Sequence, residues 1–134
     1  MKFVMLLFCS SVYADNQVYI DQIGSYNNVS IEQISSTSAS TYTDLHMNGN
    51  YNTAIIHQES IVGTKNISLS LSGNNKTVDI IQQGSGNHQA SILLSGEKSG
   101  LNLIQNGNIS QSYSLNFTCT TPGGCATIQV QLGQ

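Results

Sequence analysis

The sequence contains no arginine, no tryptophan and a single proline, and only 8% of its residues are charged. Binding of phosphates needs clustered lysine and arginine, so this composition argues against nucleic acid as a partner. No apolar run beyond the N-terminus approaches the ~20 residues of a membrane-spanning helix, which argues against membrane insertion. No residues show the spacing of a catalytic or metal-binding cluster. We therefore expect neither an enzyme nor a cofactor.

The first residues have the pattern of a short secretory signal peptide. Lys2 precedes an apolar run over residues 3–8, and Val12-Tyr13-Ala14 forms a cleavage site before Asp15. The alternative is an ordinary buried strand at the N-terminus. The pattern favours a signal peptide at 1–14 and one secreted, extracellular domain at 15–134.

Two cysteines remain after such cleavage, Cys119 and Cys125. In an oxidising, exported setting this pair predicts a disulfide that closes the loop between them. A two-cysteine metal site is the weaker alternative, because no histidine lies nearby in the sequence. The three histidines, His46, His57 and His88, lie in separate segments, and we interpret them as solvated strand or turn residues.

A short phrase with fixed internal spacing recurs along the chain. It begins with a glycine, has an asparagine three residues later and ends with a glutamine nine residues after the glycine. The complete copies are Gly24, Asn27, Gln33 and Gly49, Asn52, Gln58, and the degenerate copies are Gly73, Lys76, Gln82 and Gly96, Ser99, Gln105. The glutamines are 25, 24 and 23 residues apart. A period of this length is typical of stacked repeats.

Turn signals from Gly and Asn recur every 11 to 14 residues and separate short segments of period-2 alternation. The candidate turn glycines, which allow a positive φ, are Gly24, Gly49, Gly73, Gly84, Gly96 and Gly107. Ten strands, two per repeat, predict an all-β fold: a flattened β-solenoid of about five stacked coils of 23–25 residues. A β-sandwich or meander is the alternative, but it gives no reason for a fixed spacing from each glycine.

The recurring amides have a physical explanation in a stack. A glutamine at the end of an apolar stripe is costly to bury unless it has partners. In stacked coils, each side-chain NH₂ can donate to the carbonyl of the next, and asparagine can do the same or bond the turn backbone. The predicted stacking residues are Gln22, Asn27, Gln33, Asn52, Gln58, Gln82 and Gln105.

The pattern Gln-x-Gly-x-x-Asn-x-x-x-x-x-Gln resembles the curlin repeat, and residues 22–33 carry it in full. The resemblance implies a subunit of curli, the secreted amyloid fibres of bacterial biofilm and surface adhesion. It further implies a homopolymer that assembles end to end. A nucleator or major-subunit paralogue and a secretion channel are then candidate partners.

A binding protein is the alternative from another functional class. A solitary secreted β-solenoid can bind a surface such as a glycan or ice. Ice-binding solenoids generally repeat Thr-x-Thr on one flat face, and here Thr41-Tyr42-Thr43 occurs once. The sequence therefore favours the fibre subunit.

Overall fold

The computed structural model describes residues 5–7, 16–35 and 40–133. This part of the chain consists of strands and turns, with no helix. The strands are β1 (Met5–Leu7), β2 (Asn16–Ile23), β3 (Asn28–Ser35), β4 (Thr41–Asn48), β5 (Thr53–Ser60), β6 (Lys65–Ser72), β7 (Lys76–Gln83), β8 (His88–Gly96), β9 (Ser99–Asn106), β10 (Gln111–Cys119) and β11 (Thr127–Leu132).

The strands form two parallel sheets that alternate along the chain. One sheet has the order β1-β3-β5-β7-β9-β11, and the other has the order β10-β8-β6-β4-β2. Each successive pair, from β2 and β3 to β10 and β11, makes one coil, so five coils are stacked. The predicted flattened β-solenoid is confirmed, and the meander and sandwich alternatives are excluded because neighbouring strands are parallel.

Period-2 alternation positions the core between the two sheets. Inward residues of the three middle coils are buried, and the outward residues between them reach solvent. The fully buried apolar residues include Leu45, Met47, Ala54, Ile56, Ile67, Leu69, Leu71, Val78, Ile80, Ala90, Ile92, Leu94, Leu101 and Leu103. Corresponding residues of the first and fifth coils, such as Ile31 and Leu115, are only partly buried. A terminal coil has another complete coil on one side only, so its inward apolar residues are less buried than those of the middle coils.

The sequence predicted ten strands, and β1 is an additional one. It lies inside the segment expected to be a signal peptide, and its residues pair with Val29–Ile31 on the outer edge of β3. The expected cleavage site at Ala14 lies outside the described residues.

Tight stacking of the turns explains the recurrent glycine. The six predicted turn glycines all have positive φ, between 86° and 123°. At Gly49, a Cβ atom would lie 1.9 Å from the carbonyl oxygen of Gly73 in the next coil. Both the backbone conformation and the close approach therefore require glycine at this position.

Candidate functional site

Four glutamines form a continuous chain of side-chain hydrogen bonds along one side of the core, here called the Gln ladder. The Nε2 of Gln33 donates to Oε1 of Gln58 at 2.8 Å. Gln58 donates in the same way to Gln82 at 3.3 Å, and Gln82 donates to Gln105 at 2.7 Å. The last three side chains are fully buried. Parallel, in-register strands place these residues one above another, because β3, β5, β7 and β9 align them directly.

The Gln ladder also connects the two sheets. The amide of Gln58 donates to the backbone carbonyl of Tyr42 at 3.1 Å, and the amide of Gln105 donates to that of Gln89 at 2.9 Å. The second N–H of a buried amide therefore has a partner in the facing strand. This satisfies groups whose burial would otherwise be costly.

Gln22 lies outside the Gln ladder. It belongs to β2, in the opposite sheet, where the residue in register on β4 is Met47. The repeat places a glutamine before the first glycine, but later coils have apolar residues at that position. A column of stacked amides therefore does not form there.

Asn27 and Asn52 each bridge two coils beside the turn. The Nδ2 of Asn52 donates to the carbonyl of Gly73 at 2.9 Å, and its Oδ1 accepts from the backbone N–H of Lys76 at 2.8 Å. Asn27 makes the same two contacts one coil earlier, with Gly49 and with the N–H of Asn52. Each of these side chains thus satisfies turn backbone groups of the next coil.

Lys76 occupies the asparagine position of the third repeat and keeps part of this function. Its buried Nζ donates to the carbonyl of Gly96 at 2.5 Å and also to that of Glu97. Burial lowers the pKa of Lys76, and the charge of Glu97 partly opposes that shift. Backbone carbonyls of the next turn therefore hold the Lys76 amino group inside the stack.

A second column of polar side chains begins the strands of the other sheet, and sequence reasoning missed it. Lys65, His88 and Gln111 are in register at the starts of β6, β8 and β10. Lys65 Nζ donates to the carbonyl of Gly86 at 2.7 Å, and Gln111 Nε2 donates to that of Asn106 at 2.8 Å. Burial lowers the pKa of Lys65, and the charge of Glu59 partly opposes that shift.

His88 was expected in solvent, and that interpretation is wrong, because its side chain is completely buried. Its Nε2 lies 2.7 Å from the carbonyl of Gln83, which makes Nε2 the donor, and its Nδ1 has no partner within the described ranges. Burial and the neighbouring charge of Lys65 lower the pKa of His88, and backbone carbonyls of Gln83 and Gly107 partly oppose that shift. The other two histidines lie beside carboxylates: His46 is 3.3 Å from Asp21 and His57 is 3.3 Å from Glu32.

We expect His88 to make the protein less stable in mild acid. The unfolded chain binds a proton near the ordinary pKa of 6.5, whereas the lowered pKa keeps folded His88 neutral. This contribution to stability is therefore complete above pH 6.5 and decreases as the pH falls through that value. Denaturant unfolding of dilute protein between pH 7.5 and 5 measures the effect. The His88→Gln variant, which copies Gln111 of the next coil, should show a flatter profile; parallel profiles would contradict the assignment.

Cys119 and Cys125 form a disulfide at the end of the stack. Cys119 is in register with Gly96, so it occupies the turn position that glycines hold in the coils before it. The N–H of Cys125 donates to the carbonyl of Lys98 at 2.8 Å, which attaches the loop to the fourth coil. The disulfide therefore closes the longer turn that leads into β11.

Replacing both cysteines with serine should loosen the fifth coil without preventing the rest of the stack from forming. The loop would lose its covalent closure, so β11 would open more often. Limited proteolysis followed by mass spectrometry should detect faster cleavage within residues 120–132. Unchanged cleavage in this range would show that the disulfide does not hold β11 in place.

The described ranges contain no group of three or more residues arranged to hold a metal ion, and no helix among them is long and apolar enough to span a membrane. The chain matches no family model, no curated protein and no solved structure. The geometry itself therefore carries the functional argument. Its main feature is the repeated columns of polar side chains inside the stack of coils.

Proposed function

We propose that the chain is a secreted structural subunit that polymerises by strand templating into curli-like amyloid fibres for biofilm matrix and surface adhesion. The observation that supports this proposal most strongly is the Gln ladder, which repeats in register through four coils. A stack of this kind can continue from one molecule into another, because each coil contacts its neighbour through backbone pairing and aligned side chains.

The ends of the stack favour such continuation. A terminal parallel strand presents free N–H and C=O groups, and monomeric proteins commonly protect such edges with charge or proline. The strands β10 and β11 contain neither a charged residue nor a proline. At the opposite end, β2 pairs with β4 alone among the described strands. A head-to-tail contact between these ends does not close on itself, so it gives an open filament.

The segment expected to be removed on export covers part of one edge. In the structure, Met5–Leu7 of β1 pairs with the outer side of β3. Removal of residues 1–14 would uncover that side and leave the whole first coil available to another molecule. Assembly would then follow processing of the leader.

The proposal predicts that purified residues 15–134 form unbranched fibres over hours to days. Exposed edges at both ends of each molecule allow addition without a limit on length. Negative-stain electron microscopy and sedimentation measure the outcome, and the unprocessed chain is the control, with slower assembly expected. A processed protein that stays monomeric at high concentration for days would contradict the fibre proposal.

A solitary solenoid that binds a glycan remains the second candidate, supported by the outer face of one sheet. Ser68, Ser91 and Ser114 are exposed and in register on β6, β8 and β10. They form a flat column of hydroxyl groups. A stable monomer that binds polysaccharide, and loses binding when these serines become valine, would favour this function.

A further inference from the structure

The fifth coil lacks both kinds of amide contact that join the earlier coils. Its residue in register with Gln105 is Leu132, so the Gln ladder stops at the fourth coil. Thr127 pairs with Gly100, which places Ala126 where earlier repeats have Asn27 and Asn52. The fifth coil therefore has no amide at either the position of the Gln ladder or the asparagine position.

The Gln ladder has a direction, and this makes the two ends chemically different. Each glutamine donates its amide to the carbonyl of the following coil, from Gln33 toward Gln105. Gln33 is the first member, and no donor in residues 16–35 or 40–133 is bonded to its Oε1. Among these described residues Gln33 Oε1 is thus an unfilled acceptor, which an amide from a coil stacked on the first one could fill.

Contact between two copies would leave this acceptor unfilled. If the fifth coil of one copy continued the register onto the first coil of the next, Leu132 would cover Gln33. The carbonyl Oε1 would lose water and gain no donor, which weakens the contact. Ala126 would likewise provide no Nδ2 for the carbonyl of Gly24, whereas Asn27 provides one for Gly49.

We propose that the first coil is a docking face for a different chain whose terminal coil carries glutamine and asparagine at these two positions. This inference rests on the proposed fibre function and specifies the partner. The chain's own fifth coil is the poorer occupant of that face. A related repeat protein with the complete phrase in its last coil matches it, because that glutamine fills Gln33 Oε1 and that asparagine bonds the first turn.

The Leu132→Gln variant tests this proposal, because it gives the chain's own fifth coil an amide that can donate to Gln33 Oε1 of a second copy. Sheared Leu132→Gln fibres are used to seed wild-type processed protein, and the soluble concentration left at equilibrium is measured for fibres of each protein. The matched control is Leu132→Met, which keeps the apolar character and adds no amide. One restored hydrogen bond at each junction should lower the residual concentration by roughly two- to tenfold.

We expect faster elongation on Leu132→Gln seeds than on wild-type or Leu132→Met seeds. Fibres from all three proteins with equal residual concentrations and equal elongation would overturn the docking assignment and leave the fibre proposal intact. If none of the three proteins forms fibres, both proposals are wrong. Circular dichroism of the soluble proteins verifies that each variant has the same fold.

Discussion

Replacing Gln58 and Gln82 together with leucine should lower the free energy of unfolding by roughly 2–5 kcal/mol. Both side chains are completely buried in the middle of the Gln ladder. Their loss leaves the amide of Gln33 without its best acceptor and the carbonyl of Gln105 without its donor. Buried polar groups without partners are costly, and the added apolar surface of leucine offsets only part of that cost.

The matched control for this prediction is the double replacement of Glu32 and His57 with alanine. These residues lie on the outer face of the same sheet and form a surface pair, with Nδ1 of His57 3.3 Å from a carboxylate oxygen of Glu32. Such pairs contribute about 0–1 kcal/mol. Denaturant unfolding of dilute, monomeric protein compares the two variants. Equal losses of stability would show that the amides do not support the core.

Replacing Gly49 with alanine should disrupt the stack more than any surface substitution. The residue has a φ of 123°, where an L-residue is strained, and its new Cβ would meet the carbonyl of Gly73 at 1.9 Å. The turns would have to separate, which breaks the Asn52 contact to the same carbonyl. We expect a loss of about 3 kcal/mol or more in the free energy of unfolding.

Gly123 provides the control, since a Cβ added there would have no neighbour within 4 Å. Its replacement with alanine should change stability by about 0.5 kcal/mol or less. The two variants are compared by thermal and denaturant unfolding. Comparable small effects at both positions would mean that the turns are not stacked as closely as the structure shows.

The architecture could be predicted from the sequence because three signals agree. Period-2 alternation indicated strands, the glycines indicated their ends, and the fixed step between Gln33, Gln58 and Gln82 indicated which strands lie above one another. Parallel, in-register pairing follows once identical residues must align. The position of Gln22 shows the limit of this reasoning. A glutamine joins a side-chain ladder only when the next coil has a glutamine in register. The residue in register with Gln22 is Met47.

The burial of Lys65 and Lys76 was not predicted, and His88 was placed in solvent because the three histidines lie in separate segments. Period-2 alternation predicts that these side chains point inward: Lys65 has the same phase as Ile67, and His88 has the same phase as Ala90. Such residues are tolerated inside because turn carbonyls lie within reach of their nitrogen atoms. The carbonyl positions depend on the backbone of the turns, which composition does not reveal.

Two other features of the molecule could not be predicted from the sequence. The apolar run near the N-terminus matched a signal peptide, and the pairing of β1 with β3 could not be read from it. The direction of the Gln ladder is also invisible in the sequence, since a glutamine can donate or accept. Because each glutamine donates to the following coil, a fifth coil with Leu132 in place of glutamine has no donor for Gln33 of a second copy. The resemblance to curlin repeats stays a prediction about function.

Fibre diffraction from aligned fibres of the processed chain tests the central claim most directly. If the coils of successive molecules continue one stack, a reflection at ~4.7–4.8 Å should lie along the fibre axis. Five coils at this spacing give a subunit repeat of roughly 24 Å along the same axis. A strand spacing oriented across the axis, or an axial repeat unrelated to five coils, would contradict end-to-end templating.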